Sequence, residues 1–495
     1  MITALILIPL AGAAAIAFAP RSIARMLAFI CTAATLLLAF LMWRGFDITL
    51  GMQMVERHEW IKAIGAEYLL GVDGLSLLLV MLTSLVFPFA FAAQKAERTY
   101  YALMLVMQSS LYGTFTAQNF VLWFLFYEMS LLPAYLLIKI WGGENRDRAA
   151  MKFFVYTFLG SIAMLLSFLA IYVATGTFDF AQLTKISVTG GLMDELGDHF
   201  FGFYASWLIF AGIFLGLAVK VPLFPFHTWL PDAYSSAPTG VSMVLTGVLS
   251  KMGVYGFIRL LLPLFPHQMG RLGPWLLALA VCSIIFSSLA AWAQKDLKRM
   301  VAYLSINHLG YCMLGLFAVG VAPGHAQAGV TAALSGVFLQ IFSHGITAAT
   351  LFYYVGLLEQ RRGARGIDDF GGLMQRAPLF CGWMGLAMFS SLGLPGLNGF
   401  IGEFLIFKGA FTLAAVASSF AAIGLLVTAI VLLRAMQALF SGPVTENTSA
   451  FSELTPAENW IILPVSLLML WIGIAPQFML NIINTTVVQM AHIFT

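Results

Sequence analysis

Long apolar runs recur along the chain, separated by short polar stretches. A membrane helix needs about 20 apolar residues to cross roughly 30 Å of hydrocarbon. By that measure the pattern predicts fourteen spans, near 2–19, 26–46, 75–94, 100–117, 119–140, 153–175, 203–229, 240–263, 272–294, 300–321, 328–357, 377–411, 413–440 and 459–487. No window shows the period-two alternation of membrane strands, so the expected fold is an all-α polytopic membrane protein rather than a β-barrel. The first run starts at Met1 without a basic leader or a cleavage site and reads as a retained span.

Two spans carry helix breakers at mid-depth. Span 7 contains Lys220-Val221-Pro222-Leu223-Phe224-Pro225, where two prolines remove two backbone donors. Span 12 contains Gly393-Leu394-Pro395-Gly396-Leu397-Asn398-Gly399. Irregular backbone at membrane depth is tolerated only inside protein or beside water. The two breaks lie five spans apart, and each neighbours an ionisable residue, Lys220 or Glu403. A weaker similarity relates Asn145-Arg146-Asp147-Arg148 and Phe158-Leu159-Gly160 to Asp296-Leu297-Lys298-Arg299 and His308-Leu309-Gly310. A five-span offset reverses orientation, so inverted repeats are expected, the sequence pointer to a transport site near the midplane. The expected units are 1–98 (helices 1–3), 99–263 (helices 4–8), 264–440 (helices 9–13) and 441–495 (helix 14).

Charge sets the orientation and narrows the function. Of 495 residues 61% are hydrophobic and 9% charged, too few charges to cover a water-soluble fold of this size. The net charge of +3 and the lack of basic tracts argue against nucleic acid. Of the 25 Lys and Arg, Arg44, Arg57, Lys62, Lys185 and Arg271 lie in even-numbered loops. Lys220, Lys251, Arg259, Lys408 and Arg434 lie within spans, and the other fifteen fall in odd-numbered loops. That bias places the odd loops inside and both termini outside, on the periplasmic side of a bacterial inner membrane or its equivalent. The even loops also carry acids, among them Glu56, Glu59, Asp194, Glu195 and Asp198, which weigh little in this rule.

Cys31, Cys282, Cys312 and Cys381 are scattered singly, without a C-x-x-C pair. No iron–sulfur cluster, structural zinc, phosphate loop or dinucleotide fingerprint is expected. No cofactor and no metal are therefore expected in this chain.

Ionisable groups inside spans cost roughly 2.5–3.5 kcal/mol each to insert, so seven of them need a reason. Glu128 sits among aromatics in Trp123-Phe124-Leu125-Phe126-Tyr127-Glu128-Met129, and Lys220 is its natural partner. The pair can be a switch whose opening releases a proton from Lys220, or a static lock on helix packing. Lys251 lies deep in span 8, where a lysine, unlike an arginine, can release its proton. Snorkelling to an interface is the alternative. His308 and His344 can accept and donate at once, as proton hopping requires, or can be structural core histidines. Glu403 follows the second break and can end such a path or pair with Lys408. His227 reads equally as interfacial, and Arg259 and Arg434 as anchors near the rims.

The run Phe126-Tyr127-Glu128-Met129-Ser130-Leu131-Leu132-Pro133, followed by Trp141-Gly142, resembles the fifth span of the antiporter-like subunits of respiratory complex I. So do Lys220-Val221-Pro222-Leu223-Phe224-Pro225-Phe226-His227-Thr228-Trp229-Leu230-Pro231-Asp232-Ala233 and Ser250-Lys251-Met252-Gly253. The resemblance covers nearly the whole chain. Gly71-Val72-Asp73-Gly74 and Gly399-Phe400-Ile401-Gly402-Glu403-Phe404 are similar to the M branch, since the L and N branches typically carry lysine where Glu403 stands. The resemblance implies a modulating pair in Glu128 and Lys220, a central relay in Lys251, a hydrated axis through His308 and His344, and a terminal donor in Glu403. It places flavin, iron–sulfur clusters and quinone in other subunits, and L-like and N-like subunits on either side. One departure stands out: after Pro231-Asp232-Ala233 the family carries a histidine and, two residues later, an acid. Here Tyr234, Ser235 and Ser236 precede Ala237-Pro238-Thr239.

The expectation is a proton-translocating membrane-arm subunit of NADH:quinone oxidoreductase. Two alternatives stay open: a related subunit of a multisubunit sodium/proton antiporter or membrane-bound hydrogenase, and a passive scaffold.

Overall fold

The computed structural model describes residues 1–190, 192, 205–321, 324 and 327–494. The start of the seventh expected span and Asp194, Glu195 and Asp198 lie outside the described residues. The chain runs α1 (Ile2–Phe18), α2 (Arg21–Arg44), β1 (Gln53–Ile61), β2 (Ala66–Val72), α3 (Gly74–Ala92) and α4 (Arg98–Thr116). Next come α5 (Phe120–Trp141), α6 (Arg146–Thr175), α7 (Ala205–Lys220), α8 (Thr239–Leu264), α9 (Pro266–Trp292), α10 (Leu297–Val321) and α11 (Gln327–Arg362). The last are α12 (Pro378–Ser391), α13 (Asn398–Leu413), α14 (Ala415–Phe440), α15 (Pro456–Ile474) and α16 (Gln477–Ala491).

Among the described residues, ten helices are long and apolar enough to cross a membrane, against the fourteen spans the pattern predicts. The difference has local causes. α1 and α7 are apolar but have only 17 and 16 residues. α4 carries Gln108, Ser109, Ser110, Thr114 and Thr116 on its buried face. The twelfth expected span divides into α12 and α13. The fourteenth divides into α15 and α16 at Ala475 and Pro476, because Ala475 leaves helical geometry and Pro476 has no N–H to continue the ladder.

Burial runs against hydropathy. The most apolar windows of α8 and α11 lie wholly inside the protein, yet their mean hydropathies are 1.5 and 1.4. Those of α2 and α14 are about a third buried, with mean hydropathies of 2.2 and 2.5. Lipid-facing surface must be apolar, whereas interior spans can carry polar groups where protein satisfies them. Small residues let the interior helices close up: a side chain at Gly216 in α7 would meet the Gly160 carbonyl of α6 at 2.8 Å.

The loop between α2 and α3 holds an antiparallel hairpin that the alternation test missed. β1 pairs with β2 in the register His58 to Tyr68 and Glu59 to Glu67, turning through Gly65 at φ +63°. The outer residues of β1 are exposed on both faces, so no period-two signal arises. Glu56 ties the hairpin to the start of α1, accepting from the backbone N–H groups of Ile2 (2.8 Å) and Thr3 (3.1 Å). α16 closes the same end, with the Thr486 hydroxyl accepting from the Gly74 N–H at 3.0 Å.

Candidate functional site

α7 leaves helical geometry after Lys220, and helix resumes at Trp229. The freed backbone is satisfied locally. Leu223 N–H donates to the Ala218 carbonyl (2.9 Å), Phe224 N–H to the Ser283 hydroxyl (2.7 Å), and the Trp229 indole to the Val219 carbonyl (2.9 Å). Lys220 is thereby held 2% exposed, its ammonium 4.7 Å from the centre of the Tyr127 ring. Glu128, one residue on, is half-buried beside the Ser161 hydroxyl. The expected Glu128–Lys220 contact is not made. The two charges interact at a distance, because the cation sits on the face of Tyr127 instead of against the carboxylate.

Lys251 is fully buried in α8. A π turn at Leu245–Leu249 immediately precedes it, and another follows at Phe257–Leu261. In the first, Ser250 N–H donates to the Leu245 carbonyl (3.2 Å) instead of to that of Thr246. The Thr246 carbonyl, released by the Ser250 N–H, accepts from the Ser250 hydroxyl (3.2 Å) and from the Lys251 ammonium. The π turn therefore builds the lysine's berth from backbone. The other neighbours of Lys251 Nζ are the Ser250 hydroxyl at 3.4 Å and His344 Nδ1 of α11 at 2.9 Å.

The His344 and His308 rings lie 5.1 Å apart. His308, from α10, has Nε2 3.1 Å from the Ser391 hydroxyl at the end of α12. Its Nδ1 lies 2.9 Å from Glu403 Oε1 of α13, at an approach too oblique for a formed hydrogen bond. Glu403 also accepts from Gln340 Nε2 at 3.1 Å and is 4% exposed. The break before α13 makes this possible. Gly393 has φ +80°, and a side chain there would lie 2.8 Å from Glu403 Oε2. The broken backbone is satisfied locally, Leu394 N–H donating to the Phe389 carbonyl (3.0 Å) and Leu397 N–H to the Leu394 carbonyl (3.1 Å), and Asn398 ties the break to α11 by donating to the Ser343 carbonyl (3.1 Å) and the Thr347 hydroxyl (3.2 Å).

The structure thus joins Lys251, His344, His308 and Glu403 into one buried row, while the separate break after α7 sets Lys220 on the Tyr127 ring, near Glu128 but not in contact with it. Four charged or histidine positions fall outside the row. Lys408 is exposed, so it is not the partner of Glu403, and Arg434 is exposed as well. Arg259 is not a free rim anchor: it is partly buried and ion-paired with Asp73, which also caps α3 through the Ser76 N–H. His227 is buried against Phe224 and Phe286. Sequence reading missed Gln340, Thr347, Ser390 and Ser391, which with the two histidines, Gly399 and Glu403 line a cavity of about 10 Å³, room for one water molecule. The spacing of Gln340 four residues before His344 put both on one face of a helix, a signal that was there to use. Among the described residues no three His, Cys, Asp or Glu side chains are placed to share a metal ion.

A bundle of apolar helices around a buried row of lysine, histidine and glutamate defines the class of antiporter-like membrane subunits. The chain belongs to the NADH:quinone oxidoreductase/Mrp antiporter transmembrane family, whose model matches residues 117–437, and within it is an antiporter-like subunit of the NADH-quinone oxidoreductase kind. It is 38% identical over 441 residues to NADH-quinone oxidoreductase subunit M of Rickettsia conorii, covering 88% of this chain and 85% of that one. It is 35% identical to F(420)H(2) dehydrogenase subunit M of Methanosarcina mazei, over 96% of this chain and 95% of that one. A chain of respiratory complex I from Thermus thermophilus superimposes with a TM-score of 0.88 at 27% identity, covering all of both chains.

Proposed function

We propose that this chain carries protons along the row Lys251–His344–His308–Glu403, driven by redox chemistry in neighbouring subunits and modulated by Glu128 and Lys220. The observation that carries this reading is the row itself: the ammonium of Lys251 meets His344 at 2.9 Å, and His308 meets Glu403 at 2.9 Å. A water in the cavity between the two histidines would complete it, since His344 Nε2 and Gln340 Oε1 face no protein partner.

In the proposed cycle a displaced charge opens the Glu128–Lys220 pair, and Lys220 passes its proton towards Lys251. The ammonium of Lys251 gives a proton to the unprotonated nitrogen of His344. A proton then passes from the other ring nitrogen through water to His308 and on to the Glu403 carboxylate, which releases it outside. Each donor is left neutral, or negative in the case of Glu403, and is recharged from behind. The separation of Glu128 from Lys220 supports assigning this conformation to the open arm of the switch.

The same reading takes both termini as outside, from the bias of Lys and Arg towards odd loops. It takes 99–263 and 264–440 as inverted repeats, from the break after α7 and the break before α13. It leaves flavin, iron–sulfur clusters and quinone to other chains and sets L-like and N-like subunits on either side. The 35% identity to a subunit of an F(420)H(2) dehydrogenase favours one further reading, in which the electron donor differs and the row works alike. Proton pumping per electron, measured in reconstituted membranes carrying Lys220→Ala and normalised to assembled complex, tests the relay against a scaffold. A relay slows pumping about tenfold with assembly intact, the scale of an ordinary coupling energy. A scaffold loses assembly and keeps its stoichiometry.

A further inference from the structure

A cleft of about 450 Å³ opens at the end of the bundle that bears the basic loops. Its walls are the start of α2, the end of α3, the end of α11 and the start of α15. Arg25 and Lys95 stand on its rim, and among the described residues neither has an ion-pair partner. Arg25 lies 5.6 Å over the Phe29 ring, and its buried Nε has no hydrogen-bond partner. The acid in the cleft, Glu458, is already engaged by Arg361 at 2.7 Å and by the backbone and hydroxyl of Thr455 at 2.7 and 2.8 Å. Glu97, two residues past Lys95, is exposed and is not part of the walls. The cleft is therefore an anion site by charge.

A second, apolar cavity lies deeper on the same helices. Three of those four helices enclose this slot, lined by Val86 and Phe89 of α3, Ile346 and Ala349 of α11, and Val465 and Leu468 of α15. From Ala92 to Leu85 is seven residues, about 10 Å of helix. A charged rim at the level of the basic loops, with an apolar slot of about 60 Å³ farther along the same helices, matches a phosphate headgroup and a short stretch of the chain attached to it.

We infer that the cleft binds one anionic phospholipid, its headgroup phosphate between Arg25 and Lys95 and a short stretch of one acyl chain in the slot between α3, α11 and α15. Basic pockets between membrane helices on the inner side are suited to such headgroups. A free phosphate would use the rim and ignore the slot.

The test uses the assembled complex in phosphatidylcholine vesicles with phosphatidylglycerol carrying a photoreactive acyl chain. Peptide mapping should find label on 85–95 and 457–468. The Arg25→Gln/Lys95→Gln double variant should bind the probe about twenty-five-fold more weakly, roughly fivefold per charge. Lys95→Gln alone, on an exposed side chain, should cost about fivefold and serves if the double variant does not assemble. Val465→Phe fills the slot without touching the charges and should remove the label at 85–89. Excess inorganic phosphate should leave labelling unchanged. Equal labelling in the charge variants, displacement of the probe by phosphate, or a neighbouring protein chain cross-linked into the cleft would overturn the inference.

Discussion

Lys251 is berthed by a change of helix register instead of a countercharge. The π turn before it frees the Thr246 carbonyl, and His344 supplies the second partner. A cation so held can give up its proton without leaving an opposite charge stranded, which an ion pair would not allow. Glu403 is placed by a comparable device, the left-handed glycine at 393. Gly393→Ala should cost about 1–2 kcal/mol for the backbone alone. Its methyl group would also push the Glu403 carboxylate from His308. The expected result is a lower melting temperature together with slower pumping per assembled complex, read by calorimetry and proton uptake. The six candidate residues were legible because charge inside an apolar run stands out. Gln340 was readable only through its spacing from His344, and Thr347 and the serines were not, since polar neutral residues are common in interior spans.

The breaks in the helices were legible for the same reason as the charges: proline and glycine punctuate a pattern that is otherwise continuous. The hairpin was not, because β1 is exposed on both faces and shows no alternation. The division of the last span at Pro476 was readable in principle but was masked by apolar residues on both sides. At the basic end, the short helix Trp229–Ser236 is pinned by ion pairs from Asp232 to Lys152 (2.8 Å) and Arg299 (2.9 Å). Burial opposes ionisation of Asp232, but the hydrogen bonds from Lys152 and Arg299 outweigh it and hold the carboxyl below its usual range. A lowered carboxyl stabilises the fold above its unfolded range, and that contribution is lost as the pH falls through the folded value. Thermal stability of the complex should therefore decline in acid, and Asp232→Asn should remove that part of the decline. The effect should be at most about 1 kcal/mol, since the pair is partly exposed. In place of the family's loop histidine, Tyr234 is buried and donates to the Leu245 carbonyl at 2.9 Å, so this element also braces the π turn under Lys251.

Among the described residues, the less apolar helices α8, α10 and α11 form the interior and carry the row, while the strongly apolar α2 and α14 are mostly exposed; α3, apolar and mostly buried, and α15, less apolar and mostly exposed, depart from that trend. Hydropathy therefore reads the membrane class but not the exact span count, while polar residues inside apolar runs point to the candidate row. The two breaks bring Lys220 and Glu403 to buried positions beside that interior, which is why the proposed path can run across the protein without an open channel. The most direct test is Lys251→Met, which keeps an unbranched side chain one atom shorter and removes the exchangeable proton. Protons pumped per electron and pumping rate should be measured together in vesicles, per assembled complex. The row predicts intact assembly with pumping slowed roughly a hundredfold, the scale of a lost proton-transfer group. Unchanged stoichiometry and rate in the assembled variant would contradict it.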